Sequence, residues 1–400
     1  MNYFFLNVLF FVCYIILLSI LFTKWRINMN FLEVFFNCKL FKMIIEKLSY
    51  ENKKYINKKA LEKRTKSHRE RVSGSVGGLS SEQENKIYKF YEKYQTLFGF
   101  DINFHKFYYE NNNIWSEKYI PDDWYYCYVD TYFNDWNLAN TFDNKCFYPR
   151  MFPGVKQPEI VFSRLNGFWT DSNRQSIKWS DVKCEAKKYD ELVIKQANGS
   201  SGGKDVFFVD LKNDPDGFEK ICKEIKNDIV VQKVLKQHPV LSLINKSSVN
   251  TIRIISFLDR DGAVKIYSSV LRMGINGSRV DNASSGGMSC GINADGTLKE
   301  VAYSDEGKKY YLHPTSGQKF SGITIPSFEK ACETIKKLHP GIPHFRLVSW
   351  DIAIDETAEP VLIEANFSYG ELTFHQLNNG PIFGDDTERI LDEVFNNTVF

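Results

Sequence analysis

Residues 361–370 read VLIEANFSYG, an apolar strand pattern that carries a carboxylate at Glu364 and an amide at Asn366. Side chains alternate across a β-strand, so these two are predicted to share one face, with Leu362 beside them and Ile363 on the opposite face. A carboxylate on a buried strand is costly unless a cation balances it. The pattern therefore predicts a cationic partner for Glu364.

The sequence just upstream predicts a β-hairpin. Residues 349–367, SWDIAIDETAEPVLIEANF, form two apolar runs around a polar loop. If Ile354 pairs with Val361, the antiparallel register places Asp351 directly opposite Glu364. Two facing carboxylates destabilise a strand pair unless a cation lies between them.

Two interpretations of these acids remain open. Two carboxylates and the amide of Asn366 form an oxygen ligand set that suits magnesium, which commonly also binds substrate phosphates. In the other interpretation, Asp351 lies in water at a strand end, Glu364 pairs with a lysine, and Asn366 begins a turn. A phosphate-binding feature elsewhere in the chain would favour magnesium.

Composition limits the class of protein. The chain has 400 residues, 43% of them hydrophobic, and a net charge of +2, which allows a large core and gives no reason to expect a nucleic-acid partner. Its 8 cysteines are scattered, without a CxxC pair or zinc-finger spacing, so reduced thiols are predicted.

The amino terminus departs from this soluble pattern. Residues Tyr3–Phe22 carry no charge and are long enough to cross a bilayer as a helix. Lys24 and Arg26 follow beside Trp25, so the positive-inside bias predicts an external N-terminus and a cytoplasmic remainder. We expect a single-pass anchor in the cytoplasmic membrane at residues 1–23; the alternative is a buried hydrophobic helix of a soluble domain.

Two segments follow this apolar stretch. Residues 24–80 hold a strongly basic run and then the sequence VSGSVGGLSS, and are expected to be a juxtamembrane segment attracted to anionic lipid and a flexible linker. Residues 81–140 show helical spacing of aromatic and charged residues. Within them, Trp124, Tyr125 and Tyr128 are predicted to pack in a core or against the linker.

A glycine-rich loop lies between two further predicted strands, after Lys195 and before Val206. Its glycines permit successive backbone amides to face one anion, and its serines add hydroxyl donors. These residues are Gly199, Ser200, Ser201, Gly202 and Gly203. The sequence matches neither a P-loop nor a Rossmann fingerprint. The loop is predicted to be a phosphate flap, with a plain mobile turn as the alternative.

Lys195 favours the phosphate interpretation. An unpaired ammonium at the end of an apolar strand is costly, and a phosphate beside the loop would balance it. A lysine, a glycine-rich flap and the downstream carboxylates together indicate a site for a nucleoside triphosphate with magnesium.

From Tyr119 to the C-terminus the chain resembles the ATP-grasp superfamily, and more narrowly the sugar-transfer-associated group related to alpha-L-glutamate ligases. In that family two lysines hold the phosphates of ATP. The stretch DNKCFYPRMFPGVKQPEIVF matches the first at Lys145, and LVIKQ matches the second at Lys195. Gln196 stands where the family commonly has proline.

The resemblance implies where the adenine binds. IVVQKVLKQHP matches the connection between the two subdomains, where backbone groups near Gln232, Lys233 and Val234 would meet the adenine edge. Many relatives carry an acid where this chain has Gln232.

The resemblance also implies roles for residues farther along. Asn250, Arg253 and Arg272 match a hairpin that faces the transferred phosphate, where arginine suits developing negative charge. A salt bridge on a sheet face is the alternative for Arg253. Asp281 and Asn282 match a second loop facing the substrate.

Asp351, Glu364 and Asn366 fall on the metal positions of the family. His375 and Gln376 follow this strand and are expected to line the acceptor pocket.

Together these matches imply an α+β ATP-grasp fold, with subdomains 141–232 and 233–400 clasping ATP and one N-terminal transmembrane helix before them. The implied cofactors are ATP and magnesium, and the implied catalytic residues are Arg253, Lys195 and Arg272. The implied reaction joins a carboxylate to an amine through an acyl phosphate, on a small-molecule or glycan acceptor in capsule or envelope polysaccharide assembly at the inner membrane. An ATP-dependent carbohydrate kinase and a non-catalytic ATP-binding membrane adaptor remain the alternatives.

Overall fold

The computed structural model describes most of the chain after its amino terminus. The described residues are 65–94, 99–198, 205–281 and 286–396, together with Lys59 and Lys63. The chain divides into two units, Met1–Arg64 and Thr65–Phe400. Within the described residues, no helix combines the length and the apolar character that crossing a bilayer requires. The predicted transmembrane helix, Tyr3–Phe22, lies outside them.

The first of two antiparallel sheets in the second unit spans residues 160–233. Its strands are β1 (Ile160–Leu165), β2 (Phe168–Asp171), β3 (Glu191–Gln196), β4 (Val206–Asp210) and β5 (Ile229–Lys233), in the order β2-β1-β5-β3-β4. Helices Trp179–Ala186 and Gly217–Glu224 pack their apolar residues against Ile194 and its neighbours. Because strand residues alternate, Lys195 faces away from this core.

The second sheet is larger and carries most of the candidate site. Its strands are β6 (Thr251–Leu258), β7 (Val264–Met273), β8 (Met288–Ile292), β9 (Leu298–Ser304), β10 (Lys309–Tyr310), β11 (Leu347–Ile354) and β12 (Pro360–Asn366), in the order β10-β9-β8-β7-β6-β11-β12. Helix Phe328–Leu338 covers one face, where Ile254 and Trp350 join a large core cluster. Alternation places Arg253 and Asp351 on the opposite face.

Further helical segments accompany the two sheets. In the described part of the chain they are residues 65–72, Ser81–Tyr91, Asn103–Asn112, Asp122–Trp124, Asp130–Phe133, Trp136–Phe142, Tyr148–Met151, Pro239–Ile244, Thr373–Asn379 and Thr387–Asn396, a π-helical turn at Tyr125–Val129, and 3₁₀ turns at His339–Gly341 and Gly384–Asp386. Sheets and helices together confirm the α+β class.

The predicted hairpin is present, but its register differs near the loop. Ile354 pairs with Pro360 rather than with Val361, and a β-bulge then restores the predicted pairing of Asp351 with Glu364. The bulge inserts Ile363 as an extra residue, so the prediction that Ile363 points away from Glu364 is wrong. Ile363 lines the same cavity as Glu364, whereas Leu362 belongs to the core.

Residues 65–72, at the end of the predicted basic segment, pack against acids of the same unit. Arg69 Nε donates to Asp123 Oδ2 at 2.9 Å, and Arg71 Nη1 lies 3.5 Å from Asp122 Oδ2. Both carboxylates are buried, and the Tyr108 hydroxyl donates to Asp122 at 2.5 Å. Carboxylates of the fold therefore hold these two arginines. Most of the basic run before them lies outside the described residues, and its expected attraction to a lipid surface stays a prediction.

The Gly/Ser-rich stretch is also fixed by contacts. Gly77 has φ +79°, and a Cβ at this position would lie 2.6 Å from the Lys106 Cβ. Gly78 has φ +67°, but a Cβ there would have no atom within 4 Å. Ser80 begins the next helix with a capping box that it forms with Gln83. The predicted flexible linker thus contains one close backbone approach and a helix cap.

The predicted aromatic core of residues 81–140 is confirmed, because Trp124, Tyr125 and Tyr128 are all buried. The π-helical turn Tyr125–Val129 runs through this cluster and leads directly into Asp130. Such widened turns are frequent at functional sites.

Candidate functional site

A cavity of about 560 Å³ is lined by residues from both sheets. It collects most of the described residues that the sequence predicts for the site, which are Lys145, Lys195, Gln232, Lys233, Val234, Arg253, Arg272, Asp281, Asp351, Glu364 and Asn366. They come from separate elements: the loop before helix Tyr148–Met151, strands β3, β5, β6, β7, β11 and β12, and the loop after β7.

Arg253 binds Asp351 with both ends of its guanidinium. Nε donates to Oδ1 at 2.8 Å and Nη2 donates to Oδ2 at 2.7 Å, because the two residues are direct partners on β6 and β11. Arg272 Nη2 lies 3.5 Å from Asp351 Oδ2. Burial opposes the charge of Asp351, but Arg253 and then Arg272 outweigh it and lower the pKa of Asp351. Burial likewise opposes the charge of Arg253, and Asp351 outweighs it and raises the pKa of Arg253.

Lys145 is the cation beside Glu364. Its Nζ donates to Glu364 Oε1 at 2.7 Å, and its backbone N–H donates to Ala197 O at 2.9 Å, which ties the Lys145 loop to the end of β3. The cationic partner predicted for Glu364 is therefore a lysine of the chain. This ion pair matches one part of the non-metal interpretation and leaves the magnesium prediction untested.

Lys195 is a cation without a carboxylate beside it. Among the described residues it forms no ion pair within 4.0 Å, although it lines the cavity. Burial and then the neighbouring charge of Lys145 lower the pKa of Lys195 to about 8. The negative charge of a phosphate group would offset both effects. The flap residues predicted to share that phosphate, Gly199 to Gly203, lie outside the described residues.

The end of β5 offers an acceptor for a nucleobase. Gln232 is buried, and its Oε1 is without a hydrogen-bond partner among the described residues. Lys233 turns its side chain outward to Glu159, with Nζ and Oε1 2.7 Å apart, so that its backbone and Val234 line the cavity. An unpartnered buried amide oxygen is costly, and the exocyclic amine of adenine is a donor that fits it.

The chemistry of the donor set fits magnesium. Asp351 and Glu364 are direct cross-strand partners, and Asn366 follows on the same strand; together they offer two carboxylates and one amide oxygen to one cavity. Asn366 directs its Nδ2 to Ser349 O at 3.0 Å. The described residues contain no cluster of three or more His, Cys, Asp or Glu side chains arranged for a metal. The three-residue magnesium set, with its single amide, stays a prediction.

Three predicted substrate residues are not brought to the cavity. Asn250 is fully buried and donates to Gln237 Oε1 at 3.0 Å. His375 is fully buried with its Nδ1 2.7 Å from Ser268 Oγ, and burial, followed by Arg253 and Arg272, lowers its pKa to about 3. Because helix Thr373–Asn379 packs against the large sheet, its polar side chains are buried and contact partners inside the protein.

Gln376 shows the same structural use. Its Nε2 donates to Ile120 O at 2.9 Å, and its Oε1 accepts from Ile120 N at 3.0 Å. Asp281 does line the cavity, where Arg272 Nη2 donates to its Oδ1 at 3.1 Å and Thr251 donates to its Oδ2. Asn282 lies outside the described residues.

Several cavity residues escaped the sequence analysis. Asp143, two residues before Lys145, has a pKa that burial and then Glu364 raise to about 7. Arg279 forms an ion pair with Glu191 and lies 3.7 Å from the Phe208 ring centroid. The sequence offered one local indication for Asp143, its position two residues before the predicted phosphate-binding Lys145, and none for Arg279.

Two further residues support the site from outside the cavity. Arg253 Nη1 donates to Glu371 Oε2 at 3.0 Å, and burial raises the pKa of Glu371. The Tyr148 hydroxyl accepts from Ala365 N at 3.0 Å and donates to Ala365 O at 3.1 Å. Because β12 is the edge of its sheet, Tyr148 satisfies backbone groups that no strand pairs with.

Comparison with known structures finds similarity to several synthetases. The chain is similar to purK, N5-carboxyaminoimidazole ribonucleotide synthetase, in its ADP complex, at 12% identity over 56% of this chain and 44% of that chain, with a TM-score of 0.34. It is similar to D-alanyl-alanine synthetase A from Vibrio cholerae O1 biovar eltor str. N16961 at 13% identity over 65% of this chain and 66% of that chain, with a TM-score of 0.38. For D-cycloserine synthetase DcsG the values are 12% identity, 66% of this chain, 73% of that chain and a TM-score of 0.39.

The chain spans less than half of the length of the first of these structures and about two thirds of the second. A comparison with curated proteins gave no match. A family model matches residues 128–390, a range that contains both sheets and every residue that lines the cavity. This match extends over more than half of the sequence, and the chain belongs to the sugar-transfer associated ATP-grasp family.

Proposed function

We propose that this protein is an ATP- and magnesium-dependent ligase that joins a carboxylate to an amine through an acyl phosphate. The observation that carries the proposal is that four cations expected at the phosphates or the transferred group line one cavity, which also holds two facing carboxylates. These cations are Lys145, Lys195, Arg253 and Arg272. Such a concentration of positive charge suits a triphosphate whose terminal group is being transferred.

The proposed reaction has two balanced steps. A carboxylate oxygen of the substrate forms a bond to the terminal phosphorus of ATP, and the bond from that phosphorus to the departing ADP breaks. An amine nitrogen then forms a bond to the acyl carbon, the bond from that carbon to phosphate breaks, and the amine loses a proton. No redox partner is needed. Positioning and electrostatic stabilisation are the main demands on the protein.

Arg253 is prepared for this role because neighbouring acids fix it. Asp351 and Glu371 engage three of its five N–H donors and hold the guanidinium in one orientation, which leaves two donors for a ligand. A cation that is already oriented stabilises developing negative charge without reorganising. Lys195, which has no carboxylate partner among the described residues, is the side chain with most to gain from a phosphate.

Glu364 and Asn366 are the residues that would hold magnesium, together with Asp351. Magnesium bound there would neutralise phosphate charge during transfer. Lys145 now occupies one oxygen of Glu364, so ligand binding is expected to shift this lysine toward the phosphates.

The acceptor and the location of the protein are the finer parts of the proposal. The family description associates these proteins with sugar transfer, which supports a sugar or glycan acceptor in capsule or envelope polysaccharide assembly. The uncharged stretch Tyr3–Phe22 and the basic residues after it support attachment to the cytoplasmic membrane with the cavity inside the cell.

The test is magnesium-dependent release of ADP by the full chain with panels of carboxylates, amines and sugars. ADP release that requires both a carboxylate and an amine, and that Lys195→Ala and Glu364→Gln abolish, is the expected result. The matched controls are Lys330→Ala and Glu359→Gln, which break a lysine–glutamate pair of 2.6 Å on the exposed surface. ADP release with a sugar alone would indicate the kinase, and ATP binding without any turnover would indicate the adaptor.

A further inference from the structure

Tyr369 lines the cavity with an aromatic ring in an unusual backbone setting. Half of its surface is exposed. Its backbone φ is +55°, in the left-handed region that residues other than glycine and asparagine rarely adopt. The next residue, Gly370, approaches β11 so closely that a Cβ there would lie 2.5 Å from Ser349 Oγ. Strained residues of this kind persist where surrounding structure holds them, and they concentrate at ligand sites.

A dedicated hydrogen bond holds this conformation. Tyr369 N donates at 2.8 Å to Oδ2 of Asp130, a carboxylate that is 1% exposed. Asn134 Nδ2 donates to the other oxygen of Asp130 at 2.6 Å. Asp130 reaches this position because it directly follows the π-helical turn Tyr125–Val129. The π-helical turn therefore positions Asp130, and Asp130 holds the backbone of Tyr369 in its left-handed conformation.

The Tyr369 ring also rests on other aromatic side chains. Its centroid lies 4.5 Å from that of Trp136 at an interplanar angle of 47°, and 6.3 Å from that of Tyr126. This packing supports the ring of Tyr369, a residue that is half exposed and lines the cavity. We call the ring of Tyr369, which packs on Trp136, the aromatic platform.

Polar side chains line the same cavity as the platform. Ser368, Asn140 and Asp143 line the same cavity and offer a hydroxyl, an amide and a carboxyl group. A rigid aromatic face next to hydrogen-bonding side chains matches a ligand with one apolar face of C–H groups and a rim of hydroxyls. A pyranose ring has this combination of surfaces.

We propose that the aromatic platform binds a sugar ring of the acceptor and so selects a glycosyl substrate. This inference rests on the proposed function, because it assigns the acceptor end of the same site. Tyr369 follows the predicted metal residue Asn366 by three residues on the loop after β12, whereas the expected adenine contacts lie at the end of β5 and directly after it. A sugar on the platform therefore lies at the phosphate end of the nucleotide.

The experiment measures sugar binding by the full chain with saturation-transfer difference NMR. The probes are methyl β-D-glucopyranoside, N-acetylglucosamine and glucuronic acid, each with and without magnesium and a non-hydrolysable ATP analogue. Tyr369→Asn removes the ring with a residue that tolerates positive φ, Tyr369→Phe keeps the ring, and Tyr311→Asn alters a tyrosine that is 56% exposed elsewhere. Calorimetry with the ATP analogue checks nucleotide binding in each variant.

We expect transfer to the C–H protons of at least one sugar in the wild type, in Tyr369→Phe and in Tyr311→Asn. Tyr369→Asn should lower the affinity for that sugar by about tenfold and should bind the ATP analogue with wild-type affinity. Absence of transfer to every sugar in the wild type, or equal sugar affinity in Tyr369→Asn, would overturn the platform. If the wild type does not bind the ATP analogue, the proposed function is refuted. This outcome is separate from the test of the platform, because sugar binding is also measured without nucleotide.

Discussion

Titration of Lys195 gives a direct test of the nucleotide site. Burial and the neighbouring Lys145 lower the pKa of Lys195 to about 8. A bound phosphate favours the protonated amine and would return its pKa toward the ordinary lysine value of about 10.4. Affinity for magnesium–ATP is therefore expected to fall as the pH rises through about 8.

The size of the effect follows from the fraction of Lys195 that stays protonated without nucleotide. With a pKa of about 8, about one tenth of these side chains carry a proton at about pH 9. The apparent dissociation constant of magnesium–ATP should then be about tenfold higher than at about pH 7, a loss of about 1.4 kcal/mol. Below about pH 7 this contribution becomes constant, because Lys195 is protonated with and without ATP.

The same pKa predicts the opposite trend for the stability of the ATP-free protein. The folded-state pKa of Lys195 lies below its unfolded value, so the unfolded chain binds more protons in the interval between them. The cost of burying this charge is fully present below about pH 8 and is relieved as the pH rises toward about 10.4. The contribution of Lys195 to the free energy of unfolding therefore increases with pH in that window.

Isothermal titration calorimetry between about pH 7 and about pH 9.5 measures the affinity for magnesium–ATP at each pH. In buffers of different ionisation enthalpy it also measures the number of protons taken up on binding. Lys195→Arg is the matched control, because a guanidinium stays charged throughout this range. Its affinity for magnesium–ATP should not show the tenfold fall between about pH 7 and about pH 9. A wild-type affinity that is constant up to about pH 9.5, or a parallel fall in Lys195→Arg, would refute the reasoning.

Two predictions concern the support of the site and the packing of the amino-terminal stretch. Tyr148→Phe leaves the buried backbone groups of Ala365 without their partner and should lower the free energy of unfolding by about 1–3 kcal/mol, measured by urea denaturation. Gly77→Ala should destabilise the protein by about 1–3 kcal/mol more than Gly78→Ala in the same assay, because only the first places a Cβ against Lys106. Equal losses at the two glycines would contradict the packing of Gly77.

Alternation along strands accounts for the parts of the site that the sequence predicts well. The pairing of Asp351 with Glu364 needed only two apolar runs, a polar loop and a period of two residues. The same period places Lys195 away from the apolar core of its sheet. The β-bulge at Ile363 has no comparable signal, because an extra residue in an apolar strand leaves the composition unchanged.

Contacts between distant parts of the chain were beyond sequence reasoning. Tyr369 and Asp130 are separated by 239 residues, and no local pattern relates a left-handed residue to an acid after a π-helical turn. His375 and Gln376 were expected in the acceptor pocket because they follow the metal strand, but helix Thr373–Asn379 buries its polar residues in the interior. Whether a polar helical residue faces a ligand or an interior partner depends on tertiary packing, which the sequence does not state.

Register across three strands explains how the site tolerates two facing acids. Arg253, Asp351 and Glu364 are direct partners on β6, β11 and β12, so one positive and two negative charges lie in a row. Arg253 binds Asp351 from one side, and Lys145 binds Glu364 from outside the sheet. The first pair is fixed within one sheet, whereas the second joins the sheet to a separate loop. Bound phosphate is therefore expected to attract Lys145, and bound magnesium to attract Glu364, before the Arg253–Asp351 pair is affected. The Lys145–Glu364 pair is thus where nucleotide binding is expected to rearrange the charges of the site.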